Sequence, residues 1–124
     1  MTWMTWDDVK LSFGELSADF VEVTAVKIMD EACSVVTDDL SGYMDVSRVI
    51  AENGIPEQLK RLAIYKAREL ASITYWGNAT NAEKNPAAEY HRNEYNNLLT
   101  SIREGNVQVA GYERPNNNQY LRFV

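Results

Sequence analysis

A regular pattern of apolar and polar positions runs through residues 55–77, IPEQLKRLAIYKARELASITYWG. Apolar residues recur there at steps of three and four, which places them on one face of an α-helix: Leu59, Leu62, Ala63, Leu70 and Ile73. Pro56 suits the first helical position, and Gly77 suits a left-handed C-terminal cap. Small residues repeat every four positions and predict the close approach of another helix: Ala63, Ala67 and Ala71. We therefore predict a central helix of about six turns.

A second long helix is predicted at 18–40, with Ser17 or Asp19 as its N-cap. Its expected core stripe follows heptad spacing: Val26, Met29, Cys33, Val36 and Leu40. A further apolar row repeats every seven residues on another face: Val21, Ile28 and Val35. A helix that is apolar on two faces is usually buried on both, so one face is expected to meet a neighbouring subunit. The β-branched content leaves a strand at 20–26 as the alternative.

Shorter elements flank these helices. A short helix is predicted at 5–13. Trp6 lies in this helix and Trp3 just before it, and the two either anchor an interface, as tryptophan often does, or cover the end of the core. A short helix or turn is predicted at 45–52, and the Asn-Gly pair at 53–54 is a strong turn signal.

The last helix is predicted at 86–104, with Asn85 as its cap, Pro86 in its first position and Gly105 at its end. Its apolar stripe is formed by Ala88, Tyr95, Leu98 and Ile102. Residues 106–110 alternate polar and apolar side chains, which predicts a short strand. Together these patterns predict an all-α fold: a small bundle of about four helices spanning 1–110, with a short C-terminal strand.

Residues 111–124, GYERPNNNQYLRFV, are predicted to form an extended C-terminal arm. The Asn-rich spacer has no apolar side chains to pack, yet the arm ends in an apolar cluster. This combination is typical of a segment that docks on a partner, and a frayed terminus is the alternative. The expected contact residues are Tyr112, Arg114, Tyr120, Leu121, Phe123 and Val124.

Composition narrows the possible functions. A length of 124 residues favours one domain, and Cys33, the single cysteine, is expected to pack as a small hydrophobe. No signal peptide or membrane-spanning run is evident. The net charge of −6 argues against ordinary nucleic-acid binding. Residues 1–57 contribute −9 and residues 58–124 contribute +3, so identical subunits are expected to attract each other head to tail, or the two halves to attract within one chain.

Catalytic chemistry has little support in the sequence. His91, the single histidine, lies near Glu89 and Glu94, but metal sites usually need three or four converging ligands. We therefore expect a packed histidine, with a metal-dependent enzyme as a distant alternative. No phosphate loop, Cys/His cluster or nucleophile motif occurs. We expect neither enzymatic activity nor a cofactor.

The order of three segments resembles a known family. A long helix ends in a Gly-Tyr pair within DDLSGYM at 38–44, and a Pro-led helix follows at 55–71. The last helix carries an aromatic-xxx-Leu-Leu-xx-Ile-xx-Gly-x-Val pattern, formed by Tyr95, Leu98, Leu99, Ile102, Gly105 and Val107. Over roughly 5–110, this pattern resembles the head–tail connector (adaptor, or head-completion) proteins of tailed bacteriophages.

The resemblance implies a structural protein of the virion neck, assembled in the host cytoplasm. Such proteins form a homo-oligomer, expected here to be a dodecameric ring, which lies below the portal protein, extends the DNA channel and docks a downstream tail or neck protein. Cations of the central helix are then expected to meet acids of a neighbouring subunit: Lys60, Arg61 and Arg68 with Asp38 and Asp39. The alternative is a small acidic helical binding module, such as an antitoxin-like regulator of a basic partner.

Overall fold

The computed structural model describes residues 2–10, 23–75 and 86–109, and these ranges are mostly helical. Their five helices are α1 (Trp6–Val9), α2 (Ala25–Leu40), α3 (Val46–Asn53), α4 (Glu57–Tyr75) and α5 (Pro86–Arg103). A small helical bundle is thus confirmed, with α1 as a single turn. The predicted caps at Ser17, Asp19 and Gly77 and the loop before α5 lie outside the described residues.

Local signals set the ends of several helices. The Asp45 carboxylate accepts a hydrogen bond from the Arg48 backbone N–H at 3.1 Å and caps α3. Gly54 ends α3 with a φ of 79°, a conformation that a side chain disfavours. Helix α5 begins at Pro86, as predicted. The Pro56 carbonyl accepts a hydrogen bond from the Lys60 backbone N–H, as the residue just before a helix does. Helix α4 therefore begins at Glu57, one residue later than predicted.

Helix α4 lies at the centre and packs mainly against α2 and α5. The three alanines at four-residue steps are completely or almost completely buried: Ala63, Ala67 and Ala71. Small side chains at these positions let the neighbouring helices approach closely, as predicted. The core also includes Trp3 and Trp6, so within one chain these tryptophans cover the core.

The predicted core stripe of α2 is correct except at its first member. Met29, Cys33, Val36 and Leu40 are buried. Val26 is 42% exposed, because it shares the outer row of α2 with Asp30 and Ser34, at steps of four residues. Ala25 is buried in its place. Residues 23–24 form a helical turn that leads into α2, not part of a strand, while 20–22 lie outside the described ranges.

The chain after α5 does not form the predicted strand at residues 106–109. Gly105 has a φ of 81°, and the backbone N–H groups of Asn106 and Val107 both donate to the Ser101 carbonyl, at 2.9 and 3.2 Å. These donors cap the helix and are therefore not free to start a ladder. Val109 is nevertheless buried, which returns this segment to the core.

Candidate subunit interface

Two of the three cations predicted to contact a neighbour join α4 to α1 within the chain. The Lys60 Nζ lies 3.7 Å from the Asp8 carboxylate. The Arg68 guanidinium donates to the backbone carbonyls of Asp8, at 2.9 Å, and Val9, at 3.3 Å. The last carbonyls of a helix carry partial negative charge, which suits a cation in this position. Arg61, by contrast, is exposed.

Asp8 is held in its charged form at this contact. The Thr5 backbone N–H donates to its carboxylate at 2.9 Å, and Asp8 in turn caps α1 through a reciprocal capping box. This hydrogen bond and the charge of Lys60 lower the pKa of Asp8, although partial burial acts in the opposite direction. The contact between α1 and α4 therefore keeps its negative partner at neutral pH.

The two acids at the end of α2 have different surroundings. The Tyr95 hydroxyl donates to the Asp39 carboxylate at 2.5 Å, and Arg103 donates to the Asp39 backbone carbonyl. Burial and the hydrogen bond to Asp39 raise the pKa of Tyr95. Asp38 is exposed. Among the five charges predicted for the interface, Asp38 and Arg61 are thus the two that the described chain leaves on the surface, and their pairing between subunits stays a prediction.

A buried polar network, which the sequence analysis did not identify, joins α4 to α5. Its centre is Glu69, a carboxylate whose side chain is only 6% exposed, with Lys66 at 2.6 Å and Arg92 at 2.9 Å. The Lys66 ammonium also lies 4.5 Å from the centre of the Tyr95 ring, within the range of a cation–π contact. The i, i+3 spacing of Lys66 and Glu69 was visible in the sequence, but nothing local indicated Arg92.

His91 lies beside this network and is 4% exposed. Burial lowers the pKa of His91, and the charge of Arg68 lowers it further, while Glu69 acts in the opposite direction. Its ring packs edge-on against Tyr90 at 5.2 Å. Within residues 2–10, 23–75 and 86–109, its Nδ1 has no hydrogen-bond partner, and no group of three or more His, Cys, Asp or Glu side chains is arranged to hold a metal ion.

An open groove of about 720 Å³ lies between α2 and α3. Its lining combines apolar, hydroxyl and acidic side chains: Trp3, Asp30, Cys33, Ser34, Thr37, Asp38, Val46, Ser47, Ile50 and Ala51. The sequence pattern did not predict this groove, because it arises where α3 packs beside α2. Asp38 is thereby placed on a concave surface that also offers apolar area, which is the usual composition of a binding site.

The predicted contact residues of the C-terminal arm lie outside the described residues: Tyr112, Arg114, Tyr120, Leu121, Phe123 and Val124. In the described ranges no helix is both long and apolar enough to cross a membrane. The chain matches no protein-family model, no curated protein and no solved structure.

Proposed function

We propose that this protein is a head–tail connector, a structural protein of the virion neck that assembles into a ring below the portal and acts without enzymatic chemistry. The observation that carries the proposal is the uneven distribution of charge along the chain. Residues 23–54, which include α2 and α3, hold six acids and two bases, a net charge of −4. Arg61 is exposed on a different helix. Two different surfaces of opposite charge favour head-to-tail association, which closes into a ring when the rotation between subunits allows it.

The proposed ring, dodecameric by resemblance, extends the DNA channel. A net charge of −6 suits a channel through which DNA passes without binding, because phosphates are repelled by carboxylates. In this arrangement the arm at 111–124 contacts the portal or the downstream neck protein. The helical bundle and the order of its elements support the proposal, together with the resemblance carried by 38–44, 55–71 and the end of α5.

The test is a pull-down of the tagged chain from infected or co-expressing cells, with mass spectrometry and negative-stain imaging of the recovered particles. Recovery of portal and tail components on ring-shaped particles is the expected result. A chain that lacks 111–124 is the matched variant, since it should keep the helical bundle and recover less of the partner. Recovery that excludes portal and neck proteins would refute the connector role, and equal recovery by the truncated chain would refute the role of the arm.

A second candidate function is a small acidic binding module for a basic protein. The acidic groove between α2 and α3 favours it, since Asp30 and Asp38 line the groove together with apolar side chains. This function predicts a small complex of fixed composition that contains one basic protein. The same pull-down distinguishes the two, because a single basic partner without ring-shaped particles would support the binding module.

A further inference from the structure

The charges that remain on the surface restrict how two subunits can meet. Lys60 and Arg68 are already engaged with α1, and Asp39 is engaged with Tyr95 of α5. Moving these side chains to a neighbour would break contacts inside each subunit. Of the five charges predicted for the contact between subunits, Arg61 and Asp38 remain, and neither forms an ion pair within the part of the chain that the structure describes.

Asp38 lies at a surface with both shape and chemical character. The apolar residues that line the groove include Ile50, which is half-buried, and Ala51, which is exposed, while Trp3 and Val46 belong to the buried core. No Lys or Arg is among the lining residues. A surface of this kind fits a partner that supplies apolar side chains next to one positive charge. Burial of the apolar part provides affinity, while the charge sets the orientation of the partner.

Helix α4 presents such a surface around Arg61. Ile64 and Tyr65 follow Arg61 by three and four positions, so they are its neighbours on the helix surface. Both are only half-buried, and Ile55, just before the helix, is 39% exposed. This face of α4 thus offers the positive charge of Arg61, with apolar side chains that are packed partly against the core on one side and the exposed acid Glu57 four positions before it. Arg61 is the part of this face that complements the acidic groove.

We infer that the α2–α3 groove of one subunit receives the Arg61 face of α4 from a second copy, with Arg61 paired to Asp38. The inference rests on the self-assembly in the proposed function and specifies its interface. Because the two surfaces differ and every subunit carries both, the contact is heterologous and propagates from subunit to subunit. A self-complementary dimer is not expected from this pairing.

Charge reversal tests the pairing. Asp38→Arg places like positive charges at the two contact positions, and Arg61→Asp places like negative charges there. Each variant alone should therefore self-associate about tenfold more weakly than the wild type. In an equimolar mixture the two variants can alternate. Every contact then joins a positive charge of one variant to a negative charge of the other, so association should return. Glu52→Arg is the matched control, because Glu52 is an exposed acid of α3 outside the groove lining. Sedimentation velocity measures association, and urea unfolding verifies that each variant is folded.

The outcomes separate this inference from the proposed function. If the wild type self-associates and both folded variants associate equally well, the Arg61–Asp38 interface is wrong while a ring remains tenable. Failure of the mixture to recover would also overturn the pairing. If the wild type is monomeric in solution and is also present only as single copies on particles recovered with portal protein, the proposed interface and the proposed ring are both wrong. Self-association that follows these predictions, without any portal recovery, would retain the interface and refute the connector role.

Discussion

Replacing Glu69 with alanine should destabilise the bundle strongly, because the carboxylate holds two cations at the interface of α4 and α5. The Glu69 side chain is 6% exposed, and its partners Lys66 and Arg92 are 15% and 39% exposed. Breaking a buried ion pair by removing one partner costs about 3–5 kcal/mol. Since Arg92 can turn to solvent and Lys66 keeps its contact with the Tyr95 ring, we expect the lower end, about 3 kcal/mol.

Urea unfolding followed by circular dichroism provides the measurement. With a slope of about 1.5 kcal/mol per molar urea for a domain of this size, the midpoint should fall by about 2 M. Glu52→Ala is the matched control, because Glu52 is also a helical glutamate that pairs with an arginine, Arg48, but that pair is exposed. Both substitutions change helix propensity alike, so the difference between them reports burial. The control should leave the midpoint unchanged within error.

A double-mutant cycle identifies the cause of the loss. Arg92→Ala in the Glu69→Ala background should cost much less than Arg92→Ala alone, because neighbours in one ion-pair network are not additive. Equal midpoints for Glu69→Ala and Glu52→Ala would refute the reasoning. Full additivity with Arg92 would show that Glu69 acts through packing and not through charge.

Two further predictions concern the backbone and the buried histidine. Gly54→Ala should lower the free energy of unfolding by about 1–3 kcal/mol, because a φ of 79° with a ψ of −174° strains any residue that has a side chain. The added carbon itself would meet nothing within 4 Å. Gly42→Ala is the control, since it also has open space; it should change the urea midpoint little, and equal effects of the two substitutions would refute the conformational argument. Because burial lowers the pKa of His91 below its ordinary 6.5, the unfolded chain binds the proton first as pH falls, so stability present above pH 6.5 should decline below it. His91→Leu should lose this part of the pH dependence in urea titrations at several pH values, and an unaltered pH profile would contradict the assignment.

Prediction from sequence succeeded where the signal was local. The turn at Gly54 and the start of α5 at Pro86 were predicted, because both residues act on backbone groups within about one turn. The close approach of helices to α4 followed from alanines at steps of four. The errors arose where the outcome depended on other parts of the chain. Val26 fitted the periodic stripe but lies on the outer face of α2. The polar-apolar alternation at 106–109 predicted a strand, but its first backbone N–H groups cap the C-terminus of α5.

The amino-acid sequence by itself therefore determined the helices, their apolar faces and the excess of acidic residues in the first half. Only the tertiary structure decided which charges find partners. Arg68 contacts α1 across 60 positions, and Glu69 contacts Arg92 across 23 positions. Neither sequence separation follows a helical period, because such contacts depend on how the helices pack and not on the spacing along one helix. The same packing leaves Asp38 beside a groove and Arg61 on an open face, the two charges on which the proposed subunit contact depends.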